Sequence, residues 1–177
     1  QYRKAVLGGG CFWCTEAVFR PLGGVVRVLP GYAGGARPSP TYEQVCSGAT
    51  GHAEVVEITF DPALISYEAL LEVFFATHDP TTLNRQGHDV GTQYRSVIFA
   101  SDEDQFVAAR RAIADLATAG IFPDPIVTRV EKLDRFWMAE PEHHDYFARN
   151  PAAGYCQAVI APKVGRLRLR YSELLAP

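Results

Sequence analysis

The sequence has few cysteines for its length and little excess charge. Its four cysteines, Cys11, Cys14, Cys46 and Cys156, stand among 177 residues and are too few for a fold held together by disulfides. They indicate redox or catalytic use in a reducing compartment, so we expect a cytoplasmic protein. The formal net charge is −3, which argues against binding to nucleic acid or to an acidic membrane surface.

Long apolar runs and common cofactor motifs are also missing. No apolar run approaches the roughly 20 residues that a membrane-spanning helix needs, and residues 1–4 lead into a short strand rather than a secretory signal. No GxGxxG unit lies between a strand and a helix. A zinc site would need a second CxxC pair beside Cys11 and Cys14, and the sequence has none. We therefore expect no membrane association, no cofactor and no metal.

Alternating apolar patterns predict one α+β domain over residues 1–177. The expected strands are residues 3–7, 25–31, 54–60, 96–100 and 126–133, and the expected helices are residues 12–20, 67–77, 102–119 and 142–149. This order predicts a mixed, mostly antiparallel sheet with helices packed on it, in two layers with a ferredoxin-like core. Long polar segments at 33–42, 79–94 and 150–163 are typical of functional loops. We expect the C-terminal part, from about 150 to 177, to be rich in loops.

Residues 8–14, Gly-Gly-Gly-Cys-Phe-Trp-Cys, are the most informative stretch of the chain. A short strand ends in three glycines, and Cys11 stands where a helix begins. The free N–H groups and the positive dipole end of a helix favour a thiolate at such a position. Glycine permits a sharp turn and the close approach of a ligand. A lone cysteine is more often buried and inert, but this setting favours a reactive thiol.

Several further residues could carry chemistry, and each also has a purely structural explanation. Glu54 begins an apolar strand, where desolvation raises the pKa of a carboxyl group and suits a general acid; taken alone, it is better explained as a surface residue at the end of a strand. Asp89 and Tyr94 lie in a polar run and could supply an acceptor and a phenolic donor. Phe12 and Trp13 begin the first helix, either as core residues or as walls of a pocket.

Six motifs with these residues occur in the order found in a known family. They are Gly10-Cys11-Phe12-Trp13, Gly31-Tyr32-Ala33-Gly34-Gly35, Pro40-Thr41-Tyr42, Thr50-Gly51-His52-Ala53-Glu54-Val55, Asp89-Val90-Gly91-Thr92-Gln93-Tyr94-Arg95-Ser96 and Gly154-Tyr155-Cys156. From Leu7 to about Lys163 the chain closely resembles the peptide methionine sulfoxide reductase A family. The resemblance implies reduction of the S epimer of methionine sulfoxide, free or within proteins.

The resemblance also implies the order of the chemistry. Cys11 matches the nucleophile, and Glu54 matches the acid that protonates the sulfoxide oxygen and so makes the sulfur electrophilic. The product on Cys11 is a sulfenic acid. Cys156 matches the resolving cysteine, which turns the sulfenic acid into a disulfide. Thioredoxin, the family's usual reductant, then reduces that disulfide by exchange without a cofactor, and we expect the enzyme to be a monomer.

Five more residues receive roles from the resemblance. Tyr42 and Tyr94 match phenols that hydrogen-bond the sulfoxide oxygen, in the manner of an oxyanion hole. Phe12 and Trp13 match the walls of a pocket for the substrate's methyl group, and Asp89 matches a supporting polar residue.

Two alternatives remain at this point. Cys11 and Cys14 form a CxxC at the start of a helix, which is the usual setting of a thioredoxin-like dithiol oxidoreductase. A non-catalytic methionine-binding or redox-sensing module would keep the aromatic pocket without an acid and a resolving thiol. Cys14 and Cys46 have no catalytic role in the favoured interpretation. Because no cysteine follows Cys156, we expect no three-cysteine relay through the C-terminal tail.

Overall fold

A six-stranded mixed sheet forms the centre of the computed structural model, which describes residues 1–177. The chain has eight strands: β1 (Arg3–Gly9), β2 (Val25–Ala33), β3 (Ala53–Phe60), β4 (Arg85–Gln86), β5 (Asp89–Val90), β6 (Ser96–Ala100), β7 (Arg129–Lys132) and β8 (Trp137–Met138). Across the sheet their order is β7-β6-β1-β3-β2-β8, and only β6 and β7 run parallel. Strands β4 and β5 form a separate hairpin. The expectation of a mixed, mostly antiparallel sheet is confirmed.

Six α-helices connect and cover these strands. They are α1 (Phe12–Phe19), α2 (Tyr42–Cys46), α3 (Tyr67–Thr77), α4 (Glu103–Ala119), α5 (Tyr146–Arg149) and α6 (Ala161–Arg170). The path β1-α1-β2-β3-α3-β6 with the strand order β6-β1-β3-β2 is a split βαβ, ferredoxin-like arrangement. The α+β class and the ferredoxin-like core are therefore confirmed. None of the helices combines the length and apolar character that a membrane span requires.

Both faces of the sheet are buried. On one face, large side chains such as Phe19 of α1 and Phe74 of α3 pack against Leu7 and Ile58 of the central strands. Residues of the opposite face, among them Val6, belong to a smaller cluster that Leu133 and Phe136 cover. Successive strand residues point to opposite faces, so β1 contributes Leu7 to one cluster and Val6 to the other. Complete burial of side chains of this size stabilises the fold by about 1.5–3 kcal/mol each.

The C-terminal part is helical, so the expectation of a loop-rich segment is wrong. A π-helical turn, Cys156–Ile160, continues directly as α6. Cys156, Ile160 and Leu167 are all buried and follow a helical spacing. Residues 150–163 were expected to form a loop because they are polar and lack a regular apolar pattern, and Pro162 lies where the π-helical turn meets α6. The burial of one side of this segment outweighs its weak helix propensity.

Two further expected elements differ from the structure in smaller ways. The expected helix at 142–149 is divided into a 3₁₀ turn, Pro141–His143, and α5, because Asp145 between them has a left-handed backbone with φ of 56°. The expected loop at 79–94 contains the hairpin of β4 and β5 and a 3₁₀ turn, Thr92–Tyr94. This hairpin carries Asp89 towards the start of α1.

Candidate active site

Cys11 lies at the N-cap of α1, directly after the turn that ends β1. Gly10 makes that turn with a φ of +102°, and a Cβ there would stand 2.7 Å from the Cγ of Gln86. Only glycine combines this backbone with so close a neighbour. The thiol group is buried, in one cluster with Cys14 and Cys156. The predicted position of the cysteine at a strand-to-helix junction is confirmed.

The acidity of the Cys11 thiol differs from the expectation. Burial, a hydrogen bond to Cys14 and the charge of Glu54 raise the pKa of Cys11 well above its usual value. The N–H of Trp13 acts in the predicted direction and lowers that pKa, but it is the weaker effect. A hydrogen bond from Cys11 lowers the pKa of Cys14 to about 7, aided by the charge of Lys163. Burial therefore outweighs the effect of the helix end at Cys11.

Glu54 lies on β3 beside the start of α1, and its side chain is buried. One carboxyl oxygen, Oε1, accepts a hydrogen bond from the N–H of Phe12 at 3.1 Å. The other oxygen, Oε2, has no hydrogen-bond partner. Burial raises the pKa of Glu54 to about 8, while the Phe12 N–H opposes the shift. A carboxyl group with this pKa carries a proton at neutral pH, as a general acid must.

Aromatic rings cluster beside these two groups. Phe12 and Trp13 of α1 face Tyr42 of α2, with ring centroids 6.1 and 6.3 Å from that of Tyr42. His143 packs on Tyr42 at 4.3 Å, and Tyr146 stacks on Trp13 at 3.8 Å. The sequence analysis placed Phe12, Trp13 and Tyr42 in one site, and the structure brings them together.

Tyr42 and Tyr94 supply phenol groups close to the carboxyl group of Glu54. Burial and then the charge of Glu54 raise the pKa of both phenols, so both remain hydrogen-bond donors. The Cys46 thiol lies beside both hydroxyl groups, whose hydrogen bonds lower its pKa against the larger effect of burial. Cys46 therefore borders the polar end of the site.

The C-terminal segment closes the site on its remaining side. The Tyr155 hydroxyl donates a hydrogen bond to Oδ2 of Asp89 at 2.8 Å and lies 3.4 Å from the Cys14 sulfur. The neighbouring Cys156 is completely buried in the cluster that holds Cys11 and Cys14. All eight residues singled out from the sequence thus border one region of the molecule.

Three residues that shape this region were not predicted from the sequence. Glu140 accepts hydrogen bonds from the Tyr32 hydroxyl and from the N–H of Tyr42, both at 2.8 Å. His143 accepts one from the indole N–H of Trp13, and Tyr155 binds Asp89. Tyr155 could have been found because it adjoins Cys156 in a recognised motif. Glu140 gave no signal, since a polar residue before a proline looks like an exposed turn, and His143 lay in the expected helix at 142–149 without a motif.

The same residues show no arrangement typical of a metal centre. No group of three or more His, Cys, Asp or Glu side chains is placed to hold a metal ion. The groups that the site does offer are thiols, one protonated carboxyl group and phenol donors.

Comparisons with known proteins agree with this arrangement. The family model described as peptide methionine sulfoxide reductase matches residues 3–174. A peptide methionine sulfoxide reductase MsrA from Chromobacterium violaceum is 62% identical over 172 residues, covering 97% of this chain and 98% of the relative. The crystal structure of Mxr1 from Saccharomyces cerevisiae in reduced form has a TM-score of 0.82 at 34% identity, covering 88% of this chain and 90% of that one.

Mxr1 has also been solved in another state. Its structure in complex with Trx2 superposes with a TM-score of 0.59 at 24% identity, over 82% of this chain and 85% of the yeast chain.

Proposed function

The chain belongs to the peptide methionine sulfoxide reductase family, and we propose that it reduces the S epimer of methionine sulfoxide, free or within proteins. Cys11 is the nucleophile, Glu54 the general acid and Cys156 the resolving cysteine. Methionine and a Cys11–Cys156 disulfide are the products, and thioredoxin regenerates the two thiols.

The unpartnered carboxyl oxygen of Glu54 carries this proposal. A buried polar atom without a hydrogen bond is costly unless a ligand completes it, and Oε2 of Glu54 is such an atom. Because its pKa is raised, the Glu54 carboxyl group holds the proton that a sulfoxide oxygen needs. A thioredoxin-like dithiol exchange has no substrate oxygen to protonate, and a non-catalytic binding module has no use for the proton.

The first chemical step joins Cys11 to the substrate. As the Cys11 sulfur attacks the sulfoxide sulfur, Glu54 delivers a proton to the oxygen. Before the attack Glu54 is protonated and carries no charge that would disfavour a thiolate at Cys11. The S–O bond of the substrate then breaks, its oxygen passes to the Cys11 sulfur, and the bond between Cys11 and the substrate breaks as methionine leaves. The methionine sulfur gains two electrons, the Cys11 sulfur loses two and ends as a sulfenic acid, and the proton released by the Cys11 thiol replaces the one that Glu54 gave.

The surrounding rings and phenols orient the sulfoxide. Tyr42 and Tyr94 donate hydrogen bonds to its oxygen, because their raised pKa values keep them protonated. Phe12 and Trp13 receive the methyl group, where apolar contact contributes about 1–3 kcal/mol of discrimination. Asp89 acts indirectly through its hydrogen bond with Tyr155. Fixed positions for oxygen and methyl leave room for one configuration at sulfur.

The second step removes the oxidised form of Cys11. Cys156 attacks the sulfenic acid, water leaves, and a disulfide links two residues of the same buried cluster. For yeast Mxr1 a complex with Trx2 has been solved, which supports thioredoxin as the external dithiol here. We further propose a monomer in the cytoplasm, a reducing compartment in which four unpaired thiols persist.

Resolved epimers of methionine sulfoxide with dithiothreitol as reductant test the proposal. The wild-type protein should reduce the S epimer and leave the R epimer, and Cys11→Ser should lose the activity. Equal rates on both epimers would contradict the assignment of the methyl pocket. Turnover by Cys11→Ser would remove Cys11 as the nucleophile.

A further inference from the structure

A short 3₁₀ turn, Pro141–His143, lies behind the aromatic pocket and belongs to none of the motifs identified from the sequence. Its closing hydrogen bond runs from the N–H of His143 to the carbonyl oxygen of Glu140 at 3.1 Å. The His143 side chain is buried, although histidine is usually only partly so. The turn therefore presents a buried imidazole to the pocket.

The imidazole makes one directed contact with the methyl-binding wall. The indole Nε1 of Trp13 lies 3.1 Å from Nδ1 of His143. An indole N–H can only donate, so Nδ1 must accept and the imidazole proton must be on Nε2. Burial lowers the pKa of His143, which keeps the ring neutral and Nδ1 available. The hydrogen bond thus fixes the rotation of the Trp13 ring as well as its position.

The same ring also contacts the other walls of the pocket. The His143 centroid lies 4.3 Å from that of Tyr42 and 5.4 Å from that of Phe12. Glu140, at the start of the turn, holds the backbone of Tyr42 through a hydrogen bond from its N–H at 2.8 Å. One turn thereby joins the start of α1 to the start of α2, the two elements that supply the pocket walls.

We propose that His143 is a positioning residue for substrate specificity: its Nδ1 holds the Trp13 indole in the orientation that receives the methyl group of the sulfoxide. The inference rests on the proposed function, because it concerns the pocket of that reaction. His143 itself touches no reacting atom. Its loss should weaken substrate binding rather than slow the chemical step, since binding energy shared by substrate and transition state affects the half-saturation concentration.

Three substitutions separate the hydrogen bond from the bulk of the ring. His143→Leu fills similar space without an acceptor. His143→Asn places an amide oxygen near the position of Nδ1, and His143→Gln places one near that of Nε2. His144→Leu is the matched control, because the neighbouring imidazole contacts the carbonyl of Ala139 at 2.9 Å and not the aromatic pocket.

Single-turnover reduction of S-sulfoxide by the reduced protein gives both parameters without the recycling step. His143→Leu should raise the half-saturation concentration about three- to tenfold, the worth of one hydrogen bond between neutral groups, with a maximal rate within about twofold of wild type. His143→Asn should restore most of the affinity. His143→Gln should behave like His143→Leu, and His144→Leu should behave like the wild-type protein. If His143→Leu fails to fold, the comparison of Asn with Gln decides the question.

The NMR resonance of the indole N–H proton reports on the hydrogen bond independently of any enzymatic activity. The chain has two tryptophans, so a Trp137→Phe background leaves Trp13 as the one indole N–H signal. That signal should move upfield and exchange faster in His143→Leu, and return towards its wild-type position in His143→Asn.

Two kinds of failure can be told apart. An unchanged half-saturation concentration in His143→Leu, equal losses in Asn and Gln, or an equal loss in His144→Leu would overturn the inference while the wild type remains active. A wild-type protein that reduces neither epimer would overturn the proposed function and the substrate named here, and the indole signal would still test the bond.

Discussion

Replacing Glu54 by Gln should make the protein more stable while it almost abolishes the chemical step. The substitution keeps the size of the side chain and an oxygen that accepts from the Phe12 N–H. It removes the transferable proton, and general acid catalysis is typically worth about 10²–10⁴-fold. The single-turnover rate with S-sulfoxide should fall by that factor.

The gain in stability follows from the raised pKa of the buried carboxyl group, about 8 against an ordinary value of 4.5. At pH 7 the carboxyl group is protonated in the folded protein and ionised in the unfolded chain, so folding must bind a proton. The pH is then about 2.5 units above the ordinary pKa of 4.5. At about 1.4 kcal/mol per unit, this costs about 3 kcal/mol of stability. Glutamine stays neutral in both states and avoids that cost.

The sign of the pH dependence provides the sharpest test. A carboxyl group whose pKa is raised by folding stabilises the fold less as pH rises from about 4.5 to about 8, and its effect is constant outside that window. Urea unfolding at several pH values should show the two proteins converging near pH 4 and differing most at pH 8 and above. A wild-type rate in Glu54→Gln, or a stability difference independent of pH, would refute the assignment.

Glu57→Gln is the matched control: Glu57 lies on the same strand, pairs with Lys4 at 3.6 Å, and should leave the rate unchanged.

Three further results are expected. The rate advantage of the wild-type protein over Glu54→Gln in single turnover should shrink as pH rises through about 8, where Glu54 loses its proton; a ratio of the two rates that does not change with pH would point to another acid. Cys156→Ser should release one equivalent of methionine quickly and then turn over slowly with thioredoxin, and continued fast turnover would show that another thiol resolves the intermediate. Peptide mapping after one equivalent of S-sulfoxide, with free thiols blocked, should find Cys11 joined to Cys156, whereas a main product linking Cys11 to Cys14 would favour the thioredoxin-like alternative.

The sequence predicted the parts of the site that depend on local order. The glycine turn before Cys11 and the start of α1 follow from neighbouring residues. The apolar strand that Glu54 begins made a desolvated carboxyl group one of two explanations, and the structure shows that this one is correct. The pKa of Cys11 could not be predicted in this way. It depends on burial and on Glu54, which is 43 positions away in the sequence but meets the start of α1 through the hydrogen bond to Phe12. The N-terminal end of α1 lowers the pKa of Cys11, as expected, but this effect is smaller than the opposite effect of burial.

Contacts between residues far apart in the chain could not be predicted from the sequence for a related reason. Trp13 and His143 are 130 positions apart, and Asp89 and Tyr155 are 66 positions apart. No pattern among neighbouring residues marks either pair as a contact, because each residue is compatible with the turn or helix in which it lies. The helical state of the C-terminal segment was hidden similarly, since only the buried cluster with Cys11 and Cys14 gives Cys156 and Ile160 a place to pack.

The burial of Cys156 places opposite demands on the two halves of the catalytic cycle. Resolution of the sulfenic acid benefits from it, because Cys156 already packs in the cluster of Cys11 and a disulfide needs Cα atoms within about 7 Å. Recycling does not, because an external thiolate must reach one sulfur of the disulfide, and both cysteines are buried. The segment with Tyr155 and Cys156 must therefore move outward before thioredoxin can react. The segment is held at the site by the Tyr155 hydroxyl, which donates to Asp89 and lies 3.4 Å from the Cys14 sulfur. Its backbone at Cys156 forms a π-helical turn, a geometry that is rare overall and is often found at functional sites.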